Sequence, residues 1–183
     1  MHKKHISTQL IHHDYTAPSN YAALQLPSYR ASTILFQNTA ALERNSWGQK
    51  QGYTYGLHGT PSSFTLQERL ATLEGGQHCL LLPSGLAAIS LVNMALLAPG
   101  DELLLPENVY GPSQNLAHHE LQKFGITPRS YKPLDLADLA AKINAKTKLV
   151  WIEAPGSCTI EFPDLLGILR LCRERGVLSA LDN

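Results

Sequence analysis

The apolar positions divide the chain near residue 62. Before it, Pro18, Pro27, Gly48, Gly52, Gly56, Gly59 and Pro61 interrupt the sequence and no period is sustained, so 1–62 reads as an irregular N-terminal arm. After it the pattern becomes regular. Leu66, Leu70 and Leu73 recur at helical spacing, Glu68 and Arg69 fall off that line, and Gly75-Gly76 supplies a stop, which predicts a helix beginning near Phe64. A short apolar run at 78–82 predicts a first strand. The longer apolar segment 86–97 predicts a buried helix, ended by Pro99-Gly100-Asp101. The chain then alternates: strand 102–105, helix 111–124 closed by Gly125, strand 126–131, helix 136–143, strand 149–152, helix 163–175 and strand 177–181. Arg173 and Arg175 suit the last turn of that final helix, and Gly176 its stop. Five strands alternating with helices predict an α/β domain over 63–183 with a mostly parallel sheet. In such sheets a ligand sits at the carboxyl ends of the strands.

Composition narrows the chemistry. Of 183 residues, 44% are apolar, enough for one domain with a substantial core. Lys plus Arg and Asp plus Glu are both 15, so no electrostatic footprint for nucleic acid or an anionic membrane stands out. The start, Met1-His2-Lys3-Lys4-His5, runs into polar residues rather than a secretory apolar segment, and no stretch is long enough to span a bilayer. Cys79, Cys158 and Cys172 are odd in number and lack C-x-x-C spacing. They are expected to be small core residues of a cytoplasmic protein.

The strand-end rule singles out Ser84-Gly85, the 108–111 segment and Asp182. Gly85 permits a tight turn into a helix whose first N–H groups could hold a phosphate, although a simple strand-to-helix turn looks the same. Tyr110, beside Gly111, could lay its ring on a heteroaromatic group or be an ordinary half-buried tyrosine. Asp182 ends an apolar strand and must be paired or hydrated there, as a partner of a protonated ring nitrogen or as a turn cap. Ser84 is not a hydrolase nucleophile, because Leu82 and Leu86 occupy the glycine positions of G-x-S-x-G. His12-His13 and His118-His119 lack the H-E-x-x-H spacing, so no metal is expected.

These residues lie within a longer ordered series. It runs from Pro27-Ser28-Tyr29-Arg30-Ala31-Ser32-Thr33 through Tyr55-Gly56-Leu57-His58-Gly59-Thr60-Pro61, Leu73-Glu74-Gly75-Gly76 and Ser84-Gly85-Leu86-Ala87-Ala88. It continues with Gly100-Asp101-Glu102, Tyr110-Gly111-Pro112-Ser113-Gln114, Glu153-Ala154-Pro155-Gly156-Ser157 and Leu181-Asp182-Asn183. Over nearly its whole length the chain resembles the Cys/Met-metabolism pyridoxal-phosphate enzymes, and within them the cystathionine β-lyase branch. Pro155-Gly156-Ser157 stands where γ-synthases and γ-lyases tend to have P-[ST]-N-P, and Tyr110-Gly111-Pro112-Ser113-Gln114 where they have Y-G-G-T.

The resemblance implies an incomplete fold-type-I large domain and pyridoxal 5'-phosphate (PLP) as cofactor. The backbone at Gly85 and Leu86 would bind its phosphate, Tyr110 would stack on the pyridine ring, and Asp182 would pair with the ring nitrogen. Tyr55 would reach the phosphate of a neighbouring subunit in a homotetramer. Where many members have an arginine two positions after that tyrosine, this chain has Leu57, followed by His58. The implied reaction is β-elimination from a sulfur amino acid, giving homocysteine, pyruvate and ammonia from cystathionine. Sister activities (cystathionine γ-synthase, cystathionine γ-lyase, methionine γ-lyase) and a non-catalytic fragment are the alternatives. The Schiff-base lysine of the family follows the Asp-Asn pair in an S-x-T-K context. Lys3, Lys4, Lys50, Lys123, Lys132, Lys142, Lys146 and Lys148 all lie outside that context, so the polypeptide by itself is expected to be inactive. The resemblance also places two later strands beside the predicted 78–82 strand, which lacks that neighbour in this sequence.

Overall fold

Leu103, Leu104 and Leu105, and again Leu149 through Ile152, are consecutive apolar residues. A strand of this kind must be covered on both faces. The computed structural model, which describes residues 5–12, 25–44 and 52–183, satisfies that demand with a four-stranded parallel sheet. Its strands are β1 (Glu102–Pro106), β2 (Thr127–Tyr131), β3 (Thr147–Glu153) and β4 (Leu178–Asp182), in the order β2-β1-β3-β4. Alternate side chains sort to opposite faces. Leu103, Leu105, Leu149 and Trp151 pack with Ile89, Ala117, Leu121 and Ile126 on one side. Leu104, Val150 and Ile152 pack with Tyr131, Leu139, Ile168 and Cys172 on the other.

The first face is covered by α4 (Gly85–Leu96) and by a mixed helical segment opened by α5 (Gly111–Asn115). The second is covered by α6 (Leu136–Lys142) and α7 (Leu165–Arg175). These layers make 82–183 one compact unit, and 1–81 forms another. Within the first unit the described elements are α1 (Ile6–Ile11), α2 (Thr39–Glu43) and α3 (Pro61–Glu74), with α1 packed on α3. A Thr60–Ser63 capping box starts α3, and Gly75, at φ 68°, ends it. Among the described residues no helix is long and apolar enough to cross a membrane.

Three expectations change. Residues 78–82 form no strand. The sheet's ladders join only β1 to β4, and a strand exists only through pairing of its backbone groups. The helix expected over 111–124 is not uniform: a π-helical turn (Leu116–Glu120) and a 3-10 turn (Leu121–Phe124) follow α5. Its buried residues Ser113, Ala117 and Leu121 recur every four positions. That period is longer than the α-helical one, and the wider π turn accommodates it. Finally, Cys158 is exposed rather than in the core, because it lies on the loop after β3; Cys79 is partly buried and Cys172 buried.

The sheet face under α4 contains a buried polar pair. The Trp151 indole N–H donates to Asn93 Oδ1 at 2.8 Å, and both residues are almost wholly buried. Asn93→Ala should leave that N–H unsatisfied and lower unfolding stability by about 1–3 kcal/mol. A urea midpoint equal to that of the unaltered chain would contradict this.

Candidate functional site

The strand order reverses direction at β1. From β1 the chain passes to β2 on one side through α5, then returns to β3 on the other side through α6, and these helices cover opposite faces. A crevice therefore opens at the carboxyl ends between β1 and β3, the topological switch point of the sheet. Tyr110 follows β1 there, and Glu153 is the last residue of β3.

Glu153 spans the crevice. It is 3% exposed; Oε1 accepts from the Tyr110 N–H at 2.6 Å and Oε2 from the Ser157 N–H at 2.8 Å. Both bonds are charge-assisted. Asp182, at the end of β4, lies directly opposite Glu153 in the parallel register. Two carboxylates thus end neighbouring strands, and none of the ion pairs among the described residues involves either. Burial, and then repulsion from Glu153, push the Asp182 carboxyl above the ordinary aspartate range. The opposite end of the sheet shows the contrary arrangement: Glu102 receives Arg129 Nη1 at 2.8 Å and Asn144 Nδ2 at 2.7 Å, and is held below the usual range.

The N-terminus of α4 is the third component. Ser84 caps it: its Oγ accepts from the Ala87 N–H at 3.1 Å and its carbonyl from Ala88. In the first turn of α4 the Gly85 and Leu86 N–H groups have no intrahelical or capping acceptor, the configuration that receives an anion. A side chain added at Gly85 would meet no atom within 4 Å, so the approach is open. The Tyr110 ring is also accessible, at 40% exposed.

The loop after β3 is held by Asn108, whose Nδ2 donates to Thr159 Oγ1 at 2.8 Å and Glu161 Oε2 at 3.1 Å. The Asn108 amide occupies the space that a Cβ at Gly156 would need. Beside it an open cleft of ≈ 620 Å³ is lined by Glu107, Lys132, Asp135 and Glu161 among others. Tyr55 belongs to the other compact unit, where its ring meets His58 edge-on at 5.4 Å.

The description "Cys/Met metabolism PLP-dependent enzyme" fits residues 7–183. The chain belongs to this family. A cystathionine beta-lyase of Bordetella avium is 38% identical over 98% of the chain and 46% of its own length. An L-methionine gamma-lyase of Pseudomonas putida is 32% identical over 97% and 44%. A Campylobacter jejuni structure assigned as an O-acetylhomoserine (thiol)-lyase, with N'-pyridoxyl-lysine-5'-monophosphate at one position, superposes with TM-score 0.90 at 27% identity. That match covers 99% of this chain and 44% of the other. The chain thus spans about half the length of the curated relatives it matches, and its sheet is part of the large domain of this PLP-dependent fold.

Of the residues singled out from sequence, Gly85, Leu86, Tyr110 and Asp182 lie in one unit, at the carboxyl ends of the sheet or on the helix that begins there. The connection from α4 to β1 is short, so α4 runs back along the sheet with its first turn at the strand carboxyl ends. PLP carries an anionic phosphate and a basic ring nitrogen. Open helix amides and a carboxylate pair without a cation fit both groups. Glu153 occupies the same kind of place as Asp182, at the end of an apolar strand, yet the sequence alone does not single it out.

The raised Asp182 carboxyl has a sign that can be checked. A carboxyl that keeps its proton more readily when folded favours folding at low pH and penalises it as pH rises through its folded value. Asp182→Asn should therefore raise the melting temperature of the ligand-free chain near neutral pH, with the gain vanishing below the ordinary aspartate range. An equal gain at both pH values, or none, would refute it.

Proposed function

We propose that this chain carries the cofactor-binding half-site of a cystathionine β-lyase. PLP would supply an electron sink for the substrate's Cα carbanion when bound. In this reading the Gly85 and Leu86 amides hold the phosphate, the Tyr110 ring lies on the pyridine, and Asp182 accepts the hydrogen bond of the protonated ring nitrogen. Tyr55 would serve the site of a neighbouring subunit in a homotetramer of a cytoplasmic enzyme, with 1–62 as the arm that delivers it and 63–183 as the cofactor-binding part. Leu57 cannot make the charge-assisted phosphate contact of an arginine.

The observation that carries the cofactor reading is the pair of adjacent carboxylates without a cation, Glu153 and Asp182, facing the crevice whose open helix amides suit a phosphate. The β-lyase branch is supported by Gly156. A Ser or Thr there, as in P-[ST]-N-P, would collide with the Asn108 amide, so Asn108 and the Pro155-Gly156-Ser157 turn form a matched set. The 38% identity to a cystathionine beta-lyase agrees with this.

The lysines of the described residues are badly placed to bond the cofactor aldehyde. Lys123 pairs with Glu120 and Lys142 with Asp138. Lys146 and Lys148 lie at the opposite end of β3 from Glu153. Lys132 is at the correct end, but it follows β2, the edge strand opposite β4. In the order β2-β1-β3-β4 that places it three strand spacings of about 4.8 Å from the strand that ends in Asp182.

The purified 183-residue polypeptide should release no pyruvate from cystathionine with PLP present, and measurable pyruvate would overturn the lysine argument. A chain of its relatives' full length that begins with this sequence should form pyruvate and homocysteine from cystathionine. Formation of 2-oxobutyrate and cysteine instead would assign the γ-lyase branch.

A further inference from the structure

Tyr110 reaches the crevice on a loop, yet stacking on a planar ligand requires its backbone to be fixed. Its carbonyl is held locally, by the Ser113 and Gln114 N–H groups at 2.9 and 3.2 Å, but no side chain caps the start of α5 and its own N–H is bonded to no residue near it in sequence. The fixing group comes from across the switch point. Glu153 holds the Tyr110 amide with one oxygen and the Ser157 amide with the other, and so ties the loop after β1 and the turn after β3 to one buried carboxylate. That carboxylate is also the register partner of Asp182.

Resting on the PLP half-site proposed above, we infer that Glu153 is a positioning residue of this site. It fixes the Tyr110 backbone and the 154–157 turn at the crevice, and its charge beside Asp182 strengthens the pull of that carboxylate on a ring-nitrogen proton. It touches no part of the ligand. The charged group that faces Asp182 across the ladder is Glu153 itself, which repels it; no Lys or Arg among the described residues forms an ion pair with either. A carboxylate is needed here because a single neutral amide side chain cannot accept from two N–H groups with two different atoms. One of the two would face an NH₂ donor.

The test uses the 183-residue chain and pyridoxine 5'-phosphate, which has the phosphate and ring of PLP but no aldehyde, so that binding needs no lysine. Ligand fluorescence reads both affinity and protonation of the ring nitrogen. Glu153→Gln should weaken binding about tenfold or more, the loss expected when a charge-assisted hydrogen bond is removed, and should lower the pH midpoint at which the bound ring nitrogen deprotonates. A structural role alone would weaken binding without moving that midpoint. Equal affinity and an equal midpoint in Glu153→Gln and the unaltered chain would overturn the inference, and so would weaker binding at an unchanged midpoint.

Amide hydrogen exchange at Tyr110 and Ser157, in the ligand-free chain, gives a second readout. Both amides should be protected in the unaltered chain and both should lose protection in Glu153→Gln, while core amides of β1 and β3 stay protected. Rapid exchange of Tyr110 and Ser157 in the unaltered chain would overturn the inference whatever the ligand does. If the unaltered chain binds no pyridoxine 5'-phosphate although these amides behave as expected, the PLP half-site fails, and with it the role given to Glu153 toward the ring nitrogen. Glu153 would then keep only its place in the loop.

Discussion

Two carboxylates end adjacent parallel strands with no cation among the described residues paired to them, and the carboxyl end of the sheet is organised around that constraint. Leaving such charges partly out of water is costly unless hydrogen bonds or a bound group compensate. Glu153 is compensated from within the chain, by the Tyr110 and Ser157 amides. Asp182 has no comparable pair of donors among the described residues, and burial together with repulsion from Glu153 makes it hold its proton more tightly. This difference divides the work. One carboxylate is committed to the architecture of the crevice, and the other remains available for a ligand that brings a proton.

The sheet order places this pair where it can act. Because the chain crosses from β2 to β3 past β1, the loops after β1 and β3 separate toward opposite faces and leave a crevice at their junction. The open end of α4 contributes amides, and the loop after β1 contributes an accessible ring. The double burial of β1 and β3 supports this arrangement. Leu103 to Leu105 and Leu149 to Ile152 fill both layers, so the loop carrying Tyr110 and the strand end carrying Glu153 extend from strands buried on both faces.

Much of this was legible in the sequence, for reasons that differ by residue. The continuous apolar runs of β1 and β3 announce strands buried on both faces, and Gly125 and Gly176 mark helix ends by the left-handed conformation they adopt. The place of Asp182 at the end of a strand was legible because the apolar run before it stops there. The strand expected at 78–82 failed because apolar composition does not supply a neighbouring backbone, and pairing is a property of the whole sheet. Glu153 does not stand out in the sequence although the same argument applies to it, since its bonds go to backbone amides, one of them on the loop after β1, and such bonds leave no pattern of residue types. The Asn108–Gly156 contact was also invisible, because a close approach between two loops is decided only once both strands are in place.

In the proposed function the carboxyl end of this sheet receives a phosphorylated pyridine. The most direct test is a crystal structure of the chain with pyridoxine 5'-phosphate. The phosphate should lie on the Gly85 and Leu86 amides, the ring on Tyr110, and the ring nitrogen within hydrogen-bond distance of Asp182. Ligand bound instead in the cleft beside Lys132, or a ring nitrogen directed away from Asp182, would contradict the claim.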